Sequence, residues 1–78
     1  SEEEDHVRRL QTALKRLGFY HGIIDGIYGN GTKRSVQAAQ LELLLPASGE
    51  VDDKTAKAIT RLLRKAEAGE RWKLPRKS

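Results

Sequence analysis

The 78 residues predict an all-α fold: a compact three-helix bundle with a glycine-rich, ordered loop between its first two helices. Three observations carry this. Three stretches place apolar residues at helical spacing. The stretch between the first two holds five glycines from Gly18 to Gly31, interleaved with Phe19, Tyr20, Ile23, Ile24, Ile27 and Tyr28. A polar linker would not carry that apolar load. The turn before the second helix is also partly repeated before the third.

Residues 6–17 read as the first helix, with Val7, Leu10, Leu14 and Leu17 on one face and Arg8, Arg9, Lys15 and Arg16 off it. Asp5 is the expected N-cap, the preceding acids suit the positive end of the helix dipole, and Gly18 is the expected C-terminal stop. In the loop, glycines allow sharp reversals while the apolar side chains, Ile24 and Ile27 among them, are expected to be buried and to pin the segment onto the helices. Asp25-Gly26 is a turn dipeptide whose carboxylate can accept from loop N–H groups.

Residues 30–44 read as the second helix, with Val36, Ala39, Gln40, Leu43 and Leu44 in its stripe, ended by Pro46. Residues 53–68 read as the third. Ala56, Ile59, Leu62, Leu63 and Ala66 form its apolar face, Lys54, Lys57, Arg61, Arg64 and Lys65 lie opposite, and Gly69 is its expected C-cap. Aligning Thr32 with Thr55 sets Gly29 on Asp52 and Tyr28 on Val51, a partial internal repeat of two helix-initiating turns. Asp52 is the stronger cap and Gly29 the weaker; Thr32 also reads as a capping residue. The chain thus divides into an acidic leader (1–5), a folded domain (6–68) and a basic tail (69–78). In the tail, Trp72 and Leu74 are candidates to dock.

Composition narrows the function classes. There is no Cys, so neither disulfides nor thiolate metal sites are available. No apolar run reaches membrane-spanning length. The first five residues hold four acids, leaving fifteen bases against seven acids from His6 onward. Such a body attracts anionic partners: nucleic acid, an anionic membrane or an acidic wall polymer. The Ser1 start and the absence of Met predict a piece of a longer chain, with no export signal in these residues. Catalysis is not expected: Ser35 and Ser48 have no suitably spaced His, and the glycines match no phosphate-binding loop. His21 and Asp25, even with His6, do not make a convincing metal set, and no cofactor is expected.

The run "VRRLQTALKRLGFYHGIIDGIYGNGTKRSVQAAQ" resembles the peptidoglycan-binding domain 1 family. The resemblance rests on Leu10-Gln11, Leu14, Leu17-Gly18, Tyr20, Gly22, Ile24-Asp25-Gly26, Gly29, Thr32, Val36 and Gln40, then on Gly49, Val51-Asp52, Thr55 and Ile59. Two positions depart from the pattern. Ala39 stands where an aromatic usually precedes the glutamine, leaving a gap that Leu43, Leu44 or Trp72 would fill. Asp53 stands where a glycine usually follows the Asp. The resemblance implies a non-catalytic module that binds bacterial peptidoglycan, anchoring a fused or partner hydrolase or envelope protein in an extracytoplasmic, wall-associated setting.

For a shallow polar ligand, the candidate contacts are Tyr20, His21, Asp25, Tyr28, Asn30, Thr32 and Arg34, with Arg34 and the start of the second helix suited to a stem-peptide carboxylate. Tyr20 and Tyr28 serve equally well as half-buried core. Two other classes compete. A protein-assembly module would suit the tail "RWKLPRKS". Nucleic-acid binding would use the basic third helix, but "LPASGEVD" is long beside the three or four residues of a helix-turn-helix connection.

Overall fold

The computed structural model describes residues 1–72, with side chains described to residue 69. Among these residues the chain forms three helices and no strand: α1 (Glu2–Arg16), α2 (Asn30–Glu42) and α3 (Asp53–Trp72). The predicted all-α bundle is therefore the observed class.

α1 starts earlier than its apolar stripe suggests. The Ser1 hydroxyl accepts from the Glu4 N–H at 3.3 Å, and the Glu4 side chain accepts from the Ser1 backbone in return, a complete capping box. Glu2, Glu3, Glu4 and Asp5 form the first turn, where carboxylates favour the dipole. Asp5 is therefore inside the helix and is not its N-cap, a correction to the sequence reading. α3 runs past the expected stop at Gly69, because one glycine within a helix costs only about 1 kcal/mol and need not end it. The docking expected of Trp72 and Leu74 lies outside the described side chains.

Leu14, Tyr20, Val36, Ala39 and Ile59 form the buried core, with Leu10, Ala13, Leu17, Phe19 and Leu43 against it. α1 packs on both α2 and α3. Ala39 is fully buried and Leu43 leans on the core beside it, but Leu44 is 92% exposed and fills nothing. On α3, Ile59 is buried and Leu62, Leu63 and Ala66 are half-buried as expected. Ala56 is exposed instead, and Thr55 takes the buried place at the start of that helix.

α1 and α2 end in the same way. After α1, Gly18 N–H donates to Lys15 C=O and Phe19 N–H to Leu14 C=O. After α2, Leu44 N–H donates to Leu41 C=O and Leu45 N–H to Gln40 C=O. Both are Schellman closures, which need a left-handed residue at their pivot. Gly18 takes it at φ 86° and Leu44 at φ 60°. A leucine there clashes with its own carbonyl, and at 92% exposure it recovers no burial energy. Leu44→Gly is expected to raise stability by about 0.5–1 kcal/mol, the relief of the clash less the added freedom of the unfolded chain. Urea midpoints compare the two proteins; a lower midpoint for the variant would contradict the assignment.

Candidate functional site

The loop between α1 and α2 is organised by Gln11. This amide sits in the apolar stripe of α1, one position after Leu10 and three before Leu14, and is fully buried. A buried amide must find partners, and only the loop can supply them. Gly26 N–H donates to Gln11 Oε1 at 3.0 Å, which sets the orientation of the amide. The two N–H groups of Gln11 Nε2 are shared among Asp25 Oδ1 (3.0 Å), Ile27 C=O (3.1 Å) and Thr32 Oγ1 (3.0 Å), with the Tyr20 hydroxyl at 3.5 Å. Gly26 holds φ 77°, and a Cβ on it would stand 3.2 Å from the Glu4 carbonyl oxygen and 3.1 Å from Arg8 Nε. Backbone and amide can meet there only because the residue is glycine.

Gln40 repeats the arrangement at the second turn. Gly49, also left-handed at φ 79°, donates its N–H to Gln40 Oε1 at 2.9 Å. The two N–H groups of Gln40 Nε2 are shared among Ser48 Oγ (3.1 Å), Glu50 C=O (3.0 Å) and Thr55 Oγ1 (3.1 Å). The turns match atom for atom: Asp25 with Ser48, Gly26 with Gly49, Ile27 C=O with Glu50 C=O, Thr32 with Thr55. Asp25 Oδ1 accepts from Ile27 N–H at 2.9 Å as Ser48 Oγ accepts from Glu50 N–H at 3.1 Å. The internal repeat is thus two glutamine-centred turns on one core. The Tyr28 hydroxyl donates to Gly49 C=O and ties one turn to the other.

This explains a departure from expectation. Ile24 and Ile27 are not buried; they are 37% and 64% exposed. The Gly26 N–H and the Ile27 carbonyl point inward to Gln11, and the Ile27 side chain faces away. Hydrogen bonds to one buried amide hold the loop, while Phe19 and Tyr20 supply its apolar anchorage.

The candidate contacts fall into two groups. Tyr20 is buried, and its hydroxyl donates to Ile23 C=O at 2.6 Å. Thr32 is buried against Gln11 and takes no capping bond; the N-cap of α2 is Gly29, without a side-chain cap. The Asp25 carboxylate is turned toward Gln11. These three shape the loop. His21, Asn30 and Arg34 are exposed, and Tyr28 is 40% exposed. Asn30 and Arg34 lie four residues apart on α2 and share a face. Tyr20 brings the His21 segment to them, because Gly22 and Gly31 both lie against its ring. Among the described residues no three His, Cys, Asp or Glu side chains gather into a metal-ligand group, and no helix is long and apolar enough to cross a membrane.

Asp52 is the N-cap of α3 as its sequence position predicts, accepting from Thr55 N–H at 2.8 Å. Bonds from Thr55, its side chain first and then its backbone, hold the Asp52 carboxyl below the usual carboxylate range. The Ile27 N–H and then the Gln11 amide do the same for Asp25. Burial, followed by the nearby Glu50 carboxylate, pushes the Tyr28 phenol up. Both aspartates are depressed in the fold. Their contribution to stability is therefore present above the ordinary aspartate value of about 3.9 and is lost as pH falls through the folded values. Thermal melts between pH 5 and 2 are expected to show falling stability. The double variant Asp25→Asn/Asp52→Asn is expected to flatten that slope, and an unchanged slope would remove both groups from the acid response.

Residues 3–59 match the family model described as "Putative peptidoglycan binding domain". The chain belongs to that family. It is 36% identical over 55 residues to "N-acetylmuramoyl-L-alanine amidase CwlM" of Mycobacterium tuberculosis, covering 70% of this chain and 14% of the relative. It is 41% identical over 50 residues to "Putative OxPP cycle protein OpcA" of Synechococcus elongatus, covering 64% of this chain and 11% of the relative. The chain thus spans less than a sixth of the length of either relative. No solved structure matches it.

Within this peptidoglycan-binding-family domain, the residues that sequence reasoning left without a role are the two glutamines. Their signal was present: each is an amide inside an apolar helical stripe, followed by a turn with glycine six residues before a Thr.

Proposed function

We propose that the domain is a non-catalytic module that binds bacterial cell-wall peptidoglycan and holds a larger hydrolase or envelope protein at the wall, outside the cytoplasm. The observation that supports this most is that the family match covers both glutamine-centred turns, so the first loop is held rigid before any ligand arrives. Preorganisation lowers the ordering cost of binding a polar glycan or its stem peptide. His21, the Tyr28 ring, Asn30 and Arg34 are the proposed contacts, while Tyr20, Asp25 and Thr32 act by holding the loop in shape. The α2 N-terminus has no side-chain cap, which leaves first-turn N–H groups for a stem-peptide carboxylate. Tethering would raise the local concentration of an attached catalytic unit on its substrate. Ser35 and Ser48 do not suit nucleophilic attack: Ser35 Oγ donates to Gly31 C=O at 2.9 Å, and Ser48 Oγ is engaged in the second turn.

Protein assembly is the second reading. It is favoured by the OpcA relative, whose name refers to a cycle and not to a wall. Co-sedimentation with purified insoluble peptidoglycan separates the two. Wall binding is expected to persist between 0.1 and 1 M salt, where the screening length falls from about 10 to 3 Å, and to drop at least tenfold in a folded His21→Ala/Asn30→Ala/Arg34→Ala protein. Failure of the wild-type domain to sediment with wall at either salt would favour assembly.

A further inference from the structure

The face of α3 away from the loop carries a second binding feature. Leu43 and Leu45, at the closure of α2, and Ala58 and Leu62 of α3 floor a groove of about 370 Å³, rimmed by Lys54, Lys57, Arg61 and Lys65. Among the described residues no carboxylate lines it. A second basic depression of about 390 Å³ adjoins it, sharing Lys57 and Arg61 and adding Arg64. The rim runs from Lys54 to Lys65, eleven residues of helix, or about 16 Å at 1.5 Å per residue. Of the proposed wall contacts on α2, Arg34 and Asn30 lie nine and thirteen residues before Leu43, about 14 and 20 Å along the helix axis.

We propose that this groove docks an acidic amphipathic segment of a partner protein. Charge complementarity selects the acidic residues: four cations surround one apolar floor, with no carboxylate among the described lining residues. The floor selects the apolar ones. Leu43 and Leu62 are half-buried with their outer surfaces facing the groove, so a ligand's Leu or Ile would complete their burial. Phosphate groups of nucleic acid or lipid would satisfy the rim but leave the floor uncovered. A three-turn helix, or about five residues of strand, matches the 16 Å length.

The test uses the whole chain and a labelled 14-residue peptide with Leu at positions i, i+3, i+4 and i+7 of a helix and Glu at most others. Controls are the same peptide with Gln for Glu, the same with Ser for Leu, a 14-nucleotide single-stranded DNA, and vesicles containing one-third anionic lipid. The Glu/Leu peptide is expected to bind at least tenfold more tightly than either altered peptide, and to shift the amide resonances of Leu43, Leu45, Ala58 and Leu62. Lys57→Glu/Arg61→Glu is expected to weaken it at least tenfold while leaving co-sedimentation with peptidoglycan unchanged. Binding that survives Ser for Leu, or DNA or vesicles that bind more tightly than the peptide, would overturn the proposal in favour of a surface that reads charge alone. So would shifts that gather at residues 20–34, or no peptide binding below 1 mM. Loss of wall binding in the charge-reversed protein would merge the two sites and overturn it as well.

Discussion

Gln11→Leu is expected to lower the urea midpoint sharply, with Gln40→Leu damaging but less so. Leucine has nearly the volume of glutamine, so the change removes polarity and little else. It strands the buried Gly26 N–H, takes the amide from Asp25 Oδ1, and leaves the Ile27 carbonyl with the Gly29 N–H and the Thr32 hydroxyl with only its long 3.4 Å bond to that carbonyl. Each unsatisfied buried group costs about 1–3 kcal/mol, against a total stability of roughly 4–12 kcal/mol for a chain of this length. At the second turn Ser48 and Glu50 are exposed, so water can replace part of what Gln40 gave them. Urea unfolding followed by circular dichroism orders the three proteins as wild type, Gln40→Leu, Gln11→Leu. A Gln11→Leu midpoint close to wild type would mean that the loop stands without its amide.

The same hydrogen-bonding logic explains what was legible in the sequence. Helix faces were legible because burial follows a period of 3.6: Leu14, Val36 and Ile59 are where that period puts them. The repeat was legible because turn chemistry is local, and Asp52 caps α3 as its position before "DKTAKAI" implies. The Ser1 cap was not read, because a strong apolar stripe starting at Val7 drew the helix start toward itself. The burial of Ile27 was misjudged because periodicity says nothing inside a loop, where backbone polar groups decide which way a side chain faces. The candidate contacts divided for a related reason. A tyrosine, threonine or aspartate in a glycine-rich loop offers the same atoms to a ligand and to a buried amide. Only the position of Gln11, more than ten residues away in the chain, shows that Asp25 and Thr32 bond to a buried amide.

Glutamate in place of each glutamine separates the two hubs, although the substitutions are chemically identical. In Gln11→Glu one carboxylate oxygen still accepts from Gly26 N–H. The other replaces a donor that stood 3.0 Å from Asp25 Oδ1 and 3.1 Å from the Ile27 carbonyl, so it meets a negative charge and a second acceptor. The Thr32 hydroxyl can turn from the Ile27 carbonyl to donate, while the Tyr20 hydroxyl, 3.5 Å away, would have to give up its short bond to Ile23 C=O to do so. An unpaired buried charge of this kind costs about 3–5 kcal/mol. In Gln40→Glu the same oxygen meets Ser48 Oγ, a hydroxyl free to turn from its long bond to Glu50 C=O, and Thr55 Oγ1, which also serves Asp52; no carboxylate stands where Asp25 does, and only the Glu50 carbonyl opposes it. Its cost at pH 7 is expected to be smaller by about 1–3 kcal/mol, the worth of hydrogen bonds to a charged group. The pH response gives the sharper discrimination. Burial and the Asp25 charge raise the pKa of a carboxyl introduced at position 11, because both disfavour its ionised form. A raised carboxyl contributes stability below its unfolded value, about 4.3, and loses it as pH rises toward the folded value. Gln11→Glu is therefore expected to melt higher at pH 4.5 than at pH 7, opposite to the wild-type trend set by the depressed Asp25 and Asp52. Equal melting temperatures for the two glutamate variants at pH 7, or a Gln11→Glu protein that weakens on acidification as wild type does, would show that Asp25 does not face the Gln11 amide in solution.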